Sequence, residues 1–134
     1  MKFRTKLLLT AAALLLLAGC GKTNAPEHTY QQITQEEAAR LMAEQTDYVL
    51  LDVRTQAEYD EGHIPGAVCI PNETIGTEKL PELPRQDQLI LVYCRSGNRS
   101  KQAAQKLASM GYTNVREFGG INTWTGETVS GSEG

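Results

Sequence analysis

The chain predicts an α/β domain on a mostly parallel, five-stranded sheet with helices on both faces. Three observations carry this. Five short strand-like stretches alternate with stretches of helical periodicity between Thr29 and Trp124. The two strongest strand signals, "YVLLD" (48–52) and "LILVY" (89–93), are continuous apolar runs, as expected of strands covered on both faces. Each is followed by turn residues and a new helix start, the order that calls for crossover connections.

In order, "TYQQI" is a weak opening strand. Thr34, with Glu37 three residues on, forms a capping box, and Ala38, Leu41 and Met42 give the following helix one apolar face. "YVLLD" is a buried strand. A short helix around Thr55–Asp60 stops at Gly62; Arg54 and Glu58 stand four apart at its start, where an exposed ion pair contributes only a few tenths of a kcal/mol. "AVCI" (67–70) reads as a short buried strand ended by Pro71. Pro81 and Pro84 break whatever helix 73–80 forms. After "LILVY" and a cysteine loop, "SKQAAQKLASMGY" predicts a helix over 100–110, with Ala103, Ala104, Leu107, Ala108 and Met110 at helical spacing and Gly111 as cap. "NVREF" is a last strand, Gly119-Gly120 a turn, and "INTWTG" a final helical turn whose Trp124 closes the core.

An address precedes this domain. Lys2, Arg4 and Lys6, an apolar stretch over 7–18 and small residues before Cys20 form a secretory signal over 1–19. The apolar stretch falls short of the ~20 residues that span a membrane. Leu17-Ala18-Gly19-Cys20 resembles the bacterial lipobox, which implies cleavage before Cys20 and a diacylglyceryl group on it, enough for stable anchoring. The expectation is an exported protein, lipid-anchored to the extracytoplasmic face of a bacterial membrane, with residues 20–29 as tether, a folded domain over 30–128 and a flexible tail over 129–134. Removal of 1–19 takes away 3 of 13 cations and none of 16 anions, leaving a net charge of −6. That argues against nucleic acid as a partner.

With Cys20 lipidated, Cys69 and Cys94 remain. Cys94 opens "CRSGNRS" at the carboxyl end of the strongest strand, where the reactive crevice of a parallel sheet lies. A free thiol ionises near pH 8.5, and the thiolate is the nucleophile. The following helix start offers unpaired amides, Gly97 allows the backbone N–H groups to curl inward as an anion nest, and Arg95 and Arg99 add full charges. A lowering by about two units, roughly 2.7 kcal/mol, is within reach of such groups. Ser96 and Asn98 complete the loop.

"CRSGNRS" is similar to the active-site loop of single-domain rhodaneses, the thiosulfate sulfurtransferase-like enzymes. "LLDVRTQAEYDEGHIPGAVCIP" resembles the same family's Asp-Val-Arg, Glu-Tyr and Gly-His-Ile-Pro-Gly-Ala stretch, and "EFGGINTWTG" its closing Gly-Gly and tryptophan. The resemblance spans 33–126 and implies a rhodanese-like domain in which Cys94 takes the outer sulfur of a small anionic donor such as thiosulfate. The resulting persulfide passes that sulfur to cyanide or a thiol, with no cofactor besides the covalent intermediate. It further implies that Arg95 and Arg99 orient the donor, that the loop 95–99 binds it, and that Asp52, supported by Arg54, fixes nearby backbone.

His63 in "GHIPGA" reads as a turn-fixing residue, because the first transfer removes no proton. Cys69 reads as core packing or as a resolving thiol able to attack a Cys94 persulfide, and distance decides between them. No cysteine or histidine pair has zinc-ligand spacing, so no metal is expected. Two other functions compete. One is a phosphatase or arsenate reductase of related fold, whose loops place five residues between cysteine and arginine where this chain places four. The other is a non-catalytic binding module of the same fold.

Overall fold

The computed structural model of the chain describes residues 29–76 and 78–132; the expected signal segment over 1–19, Cys20 and the expected tether up to residue 28 lie outside them. Five parallel strands form one sheet, β1 (Gln31–Gln32), β2 (Tyr48–Asp52), β3 (Val68–Cys69), β4 (Leu89–Cys94) and β5 (Val115–Gly120), in the order β1-β5-β4-β2-β3. Three helices flank it: α1 (Gln35–Glu44), α2 (Gln56–Glu61) and α3 (Asn98–Ser109). The expected α/β architecture is the observed one.

Alternation along β4 builds both cores. Ile90, Val92 and Cys94 point to one face, against Ala103, Ala104 and Leu107 of α3. Leu91 and Tyr93 point to the other, against Ala38 and Leu41 of α1 and Tyr59 of α2. The connection from β2 runs outward to β3 and that from β4 runs the opposite way to β5, so the winding reverses between β2 and β4. At such a point the carboxyl ends of the two strands open a crevice. β2 ends there on Asp52 and β4 on Cys94.

Several expectations need correction. The capping box falls on α2: Thr55 Oγ1 accepts from the Glu58 amide at 3.2 Å and Glu58 reaches back to the Thr55 amide. At α1, Thr34 caps the Glu37 amide at 3.0 Å, but the Glu37 carboxylate pairs with Arg40 instead. β3 is an edge strand, not a buried one, with Val68 40% exposed. Between Glu73 and Leu80 the only helical turn among the described residues is 3-10, Asn72–Thr74. Gly119 and Gly120 extend β5 instead of ending it. The tail does not begin at 129, because Val129 and His63 exchange two backbone hydrogen bonds of 2.8 Å and the Gly131 amide donates to the Asp60 carbonyl at 2.8 Å.

Candidate active site

Strand β4 carries Cys94 to the crevice and leaves its side chain 1% exposed. The chain then turns through the exposed residues Arg95 and Ser96 to Gly97, whose φ of +105° lies in the left-handed region that L side chains avoid. That conformation ends the loop early. Helix α3 begins at Asn98, two residues before the expected start, so Asn98 and Arg99 belong to its first turn. The sulfur therefore sits against the unpaired amides of a twelve-residue helix. A second glycine closes the site from β5: a Cβ on Gly120 would lie 2.0 Å from the Arg95 carbonyl oxygen, so the loop packs directly on bare backbone there.

The Gly97 amide donates to Cys94 Sγ at 3.0 Å, and the Ser100 hydroxyl lies 3.3 Å from it. Burial pushes the thiol up, but the Ser100 hydroxyl and the backbone amides of Ser100, Gly97 and Ser96 together outweigh it and hold the thiol below its ordinary range. Behind Ser100 stands Glu117 on β5, 2% exposed, which accepts from the Ser100 hydroxyl at 2.6 Å, the Gly119 amide at 2.7 Å and Gln32 Nε2 at 3.3 Å.

The arginines are arranged differently from expectation. Arg54 and Glu58 do not pair. Arg54 forks onto Asp52, Nε to Oδ1 at 3.0 Å and Nη2 to Oδ2 at 2.7 Å, and also donates to the Gly62 carbonyl at 2.7 Å. Asp52 in turn accepts the Arg54 amide at 2.9 Å, so this buried pair fixes the turn after β2. Glu58 takes Arg99 instead, in a two-bond clamp of 2.6 and 3.0 Å across the crevice from α2 to α3. The Arg99 guanidinium holds the Glu58 carboxyl down to about 2. Arg99 is thus a paired cation, and Arg95 is the exposed arginine of the loop.

Cys69 does not reach the site. It lies in register with Asp52, which is in register with Tyr93, so two strand spacings of ~4.8 Å separate it from β4. Its side chain packs on the α1 and α2 face while Cys94 faces α3. A disulfide needs Cα atoms within ~7 Å. Burial, with Asp52 nearby, also pushes the Cys69 thiol up to about 11. His63 is a turn residue: its ring stacks on Tyr59 at 3.7 Å and Nδ1 meets the Tyr59 carbonyl at 2.8 Å.

The family model of the rhodanese-like domain matches residues 34–127, a span that includes the strand end, loop and helix start around Cys94. The chain belongs to the rhodanese-like domain family. A sulfurtransferase of Allochromatium vinosum is 38% identical over 94 residues, covering 69% of this chain and 86% of that protein. The thiosulfate sulfurtransferase PspE of Escherichia coli is 35% identical over 71 residues, 53% of this chain and 68% of its own length. Among solved structures, a rhodanese with anions from E. coli is 33% identical, superposes with a TM-score of 0.58, and covers 63% of this chain and 99% of its own. The rhodanese-like domain is accordingly an enzyme of the rhodanese-type sulfurtransferase superfamily.

The structure brings Cys94 and the expected loop 95–99 together at the crevice and places Asp52 at the end of β2. It also sets Glu58 against Arg99 and Glu117 against Ser100, neighbours that the sequence did not point to, Ser100 having been read only as a helix start. The available signal for Glu117 was an acid three residues before Gly120 in a strand otherwise packed inward.

Proposed function

We propose that the protein moves a sulfane sulfur from a small anionic donor such as thiosulfate to a thiol or cyanide through a persulfide on Cys94. The Cys94 thiolate attacks the outer sulfur of the donor; the new S–S bond forms as the donor's S–S bond breaks, and sulfite leaves with the electron pair. The acceptor then attacks the outer sulfur of the persulfide, and Cys94 departs as thiolate. The observation that carries this reading is the sulfur of Cys94 held by the Gly97 amide at 3.0 Å at the start of α3. The same ring of amides suits the outer sulfur of a persulfide, and four residues between Cys94 and Arg99 leave room for one atom in place of a tetrahedral oxyanion.

Because Arg99 is clamped by Glu58, orientation of the donor falls first to Arg95 and the loop amides, with Ser96 and Asn98 flanking them. We further propose that the protein is exported and lipid-anchored through Cys20, so that transfer takes place outside the cytoplasm; Cys20→Ala is expected to move it from the membrane fraction to the soluble one. Initial rates with thiosulfate and cyanide, both varied, are expected to give the parallel reciprocal lines of a ping-pong reaction and to vanish in Cys94→Ser. Intersecting lines, or turnover surviving in Cys94→Ser, would refute the covalent route.

A further inference from the structure

Glu58 makes more contacts than its place in α2 requires. In the first turn of that helix it closes a capping box, Oε1 accepting from the Thr55 amide at 3.4 Å and the Thr55 hydroxyl at 3.2 Å. The same carboxylate then reaches across the crevice and takes both terminal nitrogens of Arg99, Nη1 to Oε1 at 2.6 Å and Nη2 to Oε2 at 3.0 Å. That fork is the geometry with which an arginine grips an oxyanion. A carboxylate of the protein therefore occupies the face of Arg99 that the sulfonate end of a donor would use. Arg99 is held above its ordinary range first by the Glu58 hydrogen bonds, against burial, and then by the charges of Glu58, Cys94 and Glu73 in that order.

The crevice is left with little spare positive charge. Asp52 neutralises Arg54 in the turn after β2. Glu58 neutralises Arg99, and it is ionised throughout the neutral range because Arg99 holds its carboxyl down to about 2. The exposed Glu73 adds a negative charge on the Arg99 side. Lys101 lines a cavity beside β1 and β5 that Cys94 does not border. Among the described residues, Arg95 is then the cation of the loop that no carboxylate pairs.

We propose that Glu58 is a specificity-determining residue that sets the charge of the sulfur donor, so that the crevice takes a singly charged donor in preference to a dianion. Arg95 and the loop amides match one negative charge beside the Cys94 thiolate. A second charge finds Arg99 already taken and Glu58 and Glu73 facing it. Within the class of small anionic donors, an organic thiosulfonate, with one charge, is thus favoured over thiosulfate, with two. Both deliver the same outer sulfur to Cys94: thiosulfate releases sulfite and methanethiosulfonate releases methanesulfinate, each leaving with the electron pair of the broken S–S bond.

The inference deepens the sulfur-transfer reading and rests on it for the donor, so its first test uses no sulfur donor. Protection of Cys94 from iodoacetamide, read from the mass of its peptide at neutral pH and constant ionic strength, is measured with sulfate and with its singly charged analogue methanesulfonate. In the wild type, methanesulfonate is expected to protect at the lower concentration. Glu58→Gln keeps an oxygen to cap Thr55 and removes the charge. It is expected to lower the half-protecting concentration of sulfate about tenfold, as one part-exposed fork is set free, and that of methanesulfonate by no more than about threefold. In an Arg99→Gln background the gain for sulfate is expected to shrink below about threefold. Equal shifts for the two anions, no protection by sulfate in Glu58→Gln, tighter protection by sulfate than by methanesulfonate in the wild type, or a gain undiminished in Arg99→Gln would overturn the proposal. In turnover, kcat/KM for thiosulfate relative to methanethiosulfonate is expected to rise about tenfold in Glu58→Gln, and an unchanged ratio would also overturn it. Absence of turnover with both donors, alongside the expected shift for sulfate, would instead count against the sulfurtransferase reading and leave charge selection by Glu58 standing.

Discussion

Replacing Glu58 by glutamine isolates the ion pair that spans the crevice. The Glu58 carboxyl is held down from 4.5 to about 2, first by its hydrogen bonds to Arg99. At about 1.36 kcal/mol per unit that lowering sets a ceiling of roughly 3 kcal/mol. The two side chains are 27% and 24% exposed, so water screens the pair and about 1–2 kcal/mol is the expected worth. The sign follows from the direction of the shift. A carboxyl whose pKa is lowered by folding stabilises the fold fully above its unfolded pKa and loses that contribution as the pH falls through the folded one. Urea denaturation at pH 7 should therefore place Glu58→Gln about 1–2 kcal/mol below the wild type, equivalent to a melting temperature lower by roughly 5–10 °C. The gap should close as the pH drops from about 4.5 toward 2. Equal stabilities at pH 7, or a gap indifferent to pH, would show that the clamp contributes nothing to folding. The same substitution frees Arg99, so turnover with thiosulfate is expected to rise even as stability falls.

Three further outcomes follow from the site. Gly97→Ala meets only ordinary contact, 3.6 Å from the Gly119 Cα, so its cost is torsional, about 1–2 kcal/mol, and the turned amide should reduce persulfide formation more than stability. Gly120→Ala places a Cβ 2.0 Å from the Arg95 carbonyl oxygen, forces the loop to move, and should slow reaction at Cys94 at least tenfold, as read by iodoacetamide. Cys69→Ser should leave sulfur transfer unchanged, and oxidation of the wild type with diamide should yield no disulfide between Cys69 and Cys94 in a peptide map.

The parts legible in the sequence are those set by neighbours along the chain. The apolar run 89–93 and the helical spacing from Ala103 to Met110 fixed β4, α3 and the direction of Cys94, and Gly97 pointed to the turned loop. The parts that were not legible depend on partners far apart. Glu58 and Arg99 are 41 residues apart, and a local reading paired Glu58 with Arg54, which the buried Asp52 claims instead. Ser100 and Glu117 meet only because β5 lies beside β4 in the sheet. Strand β3 looked buried because "AVCI" is apolar, whereas edge or centre is a property of sheet order. The segment after 128 has no apolar pattern of its own; Val129 is held by backbone bonds to His63, which leave no mark on side-chain periodicity.

The most direct test of sulfur transfer is the intact mass of the purified protein after incubation with thiosulfate and removal of excess reagent. The mass should rise by one sulfur atom, located by peptide mapping on Cys94, and return to its starting value on addition of cyanide. An unchanged mass across thiosulfate and small-molecule persulfide donors, or a sulfur carried on Cys69 instead, would contradict a persulfide on Cys94.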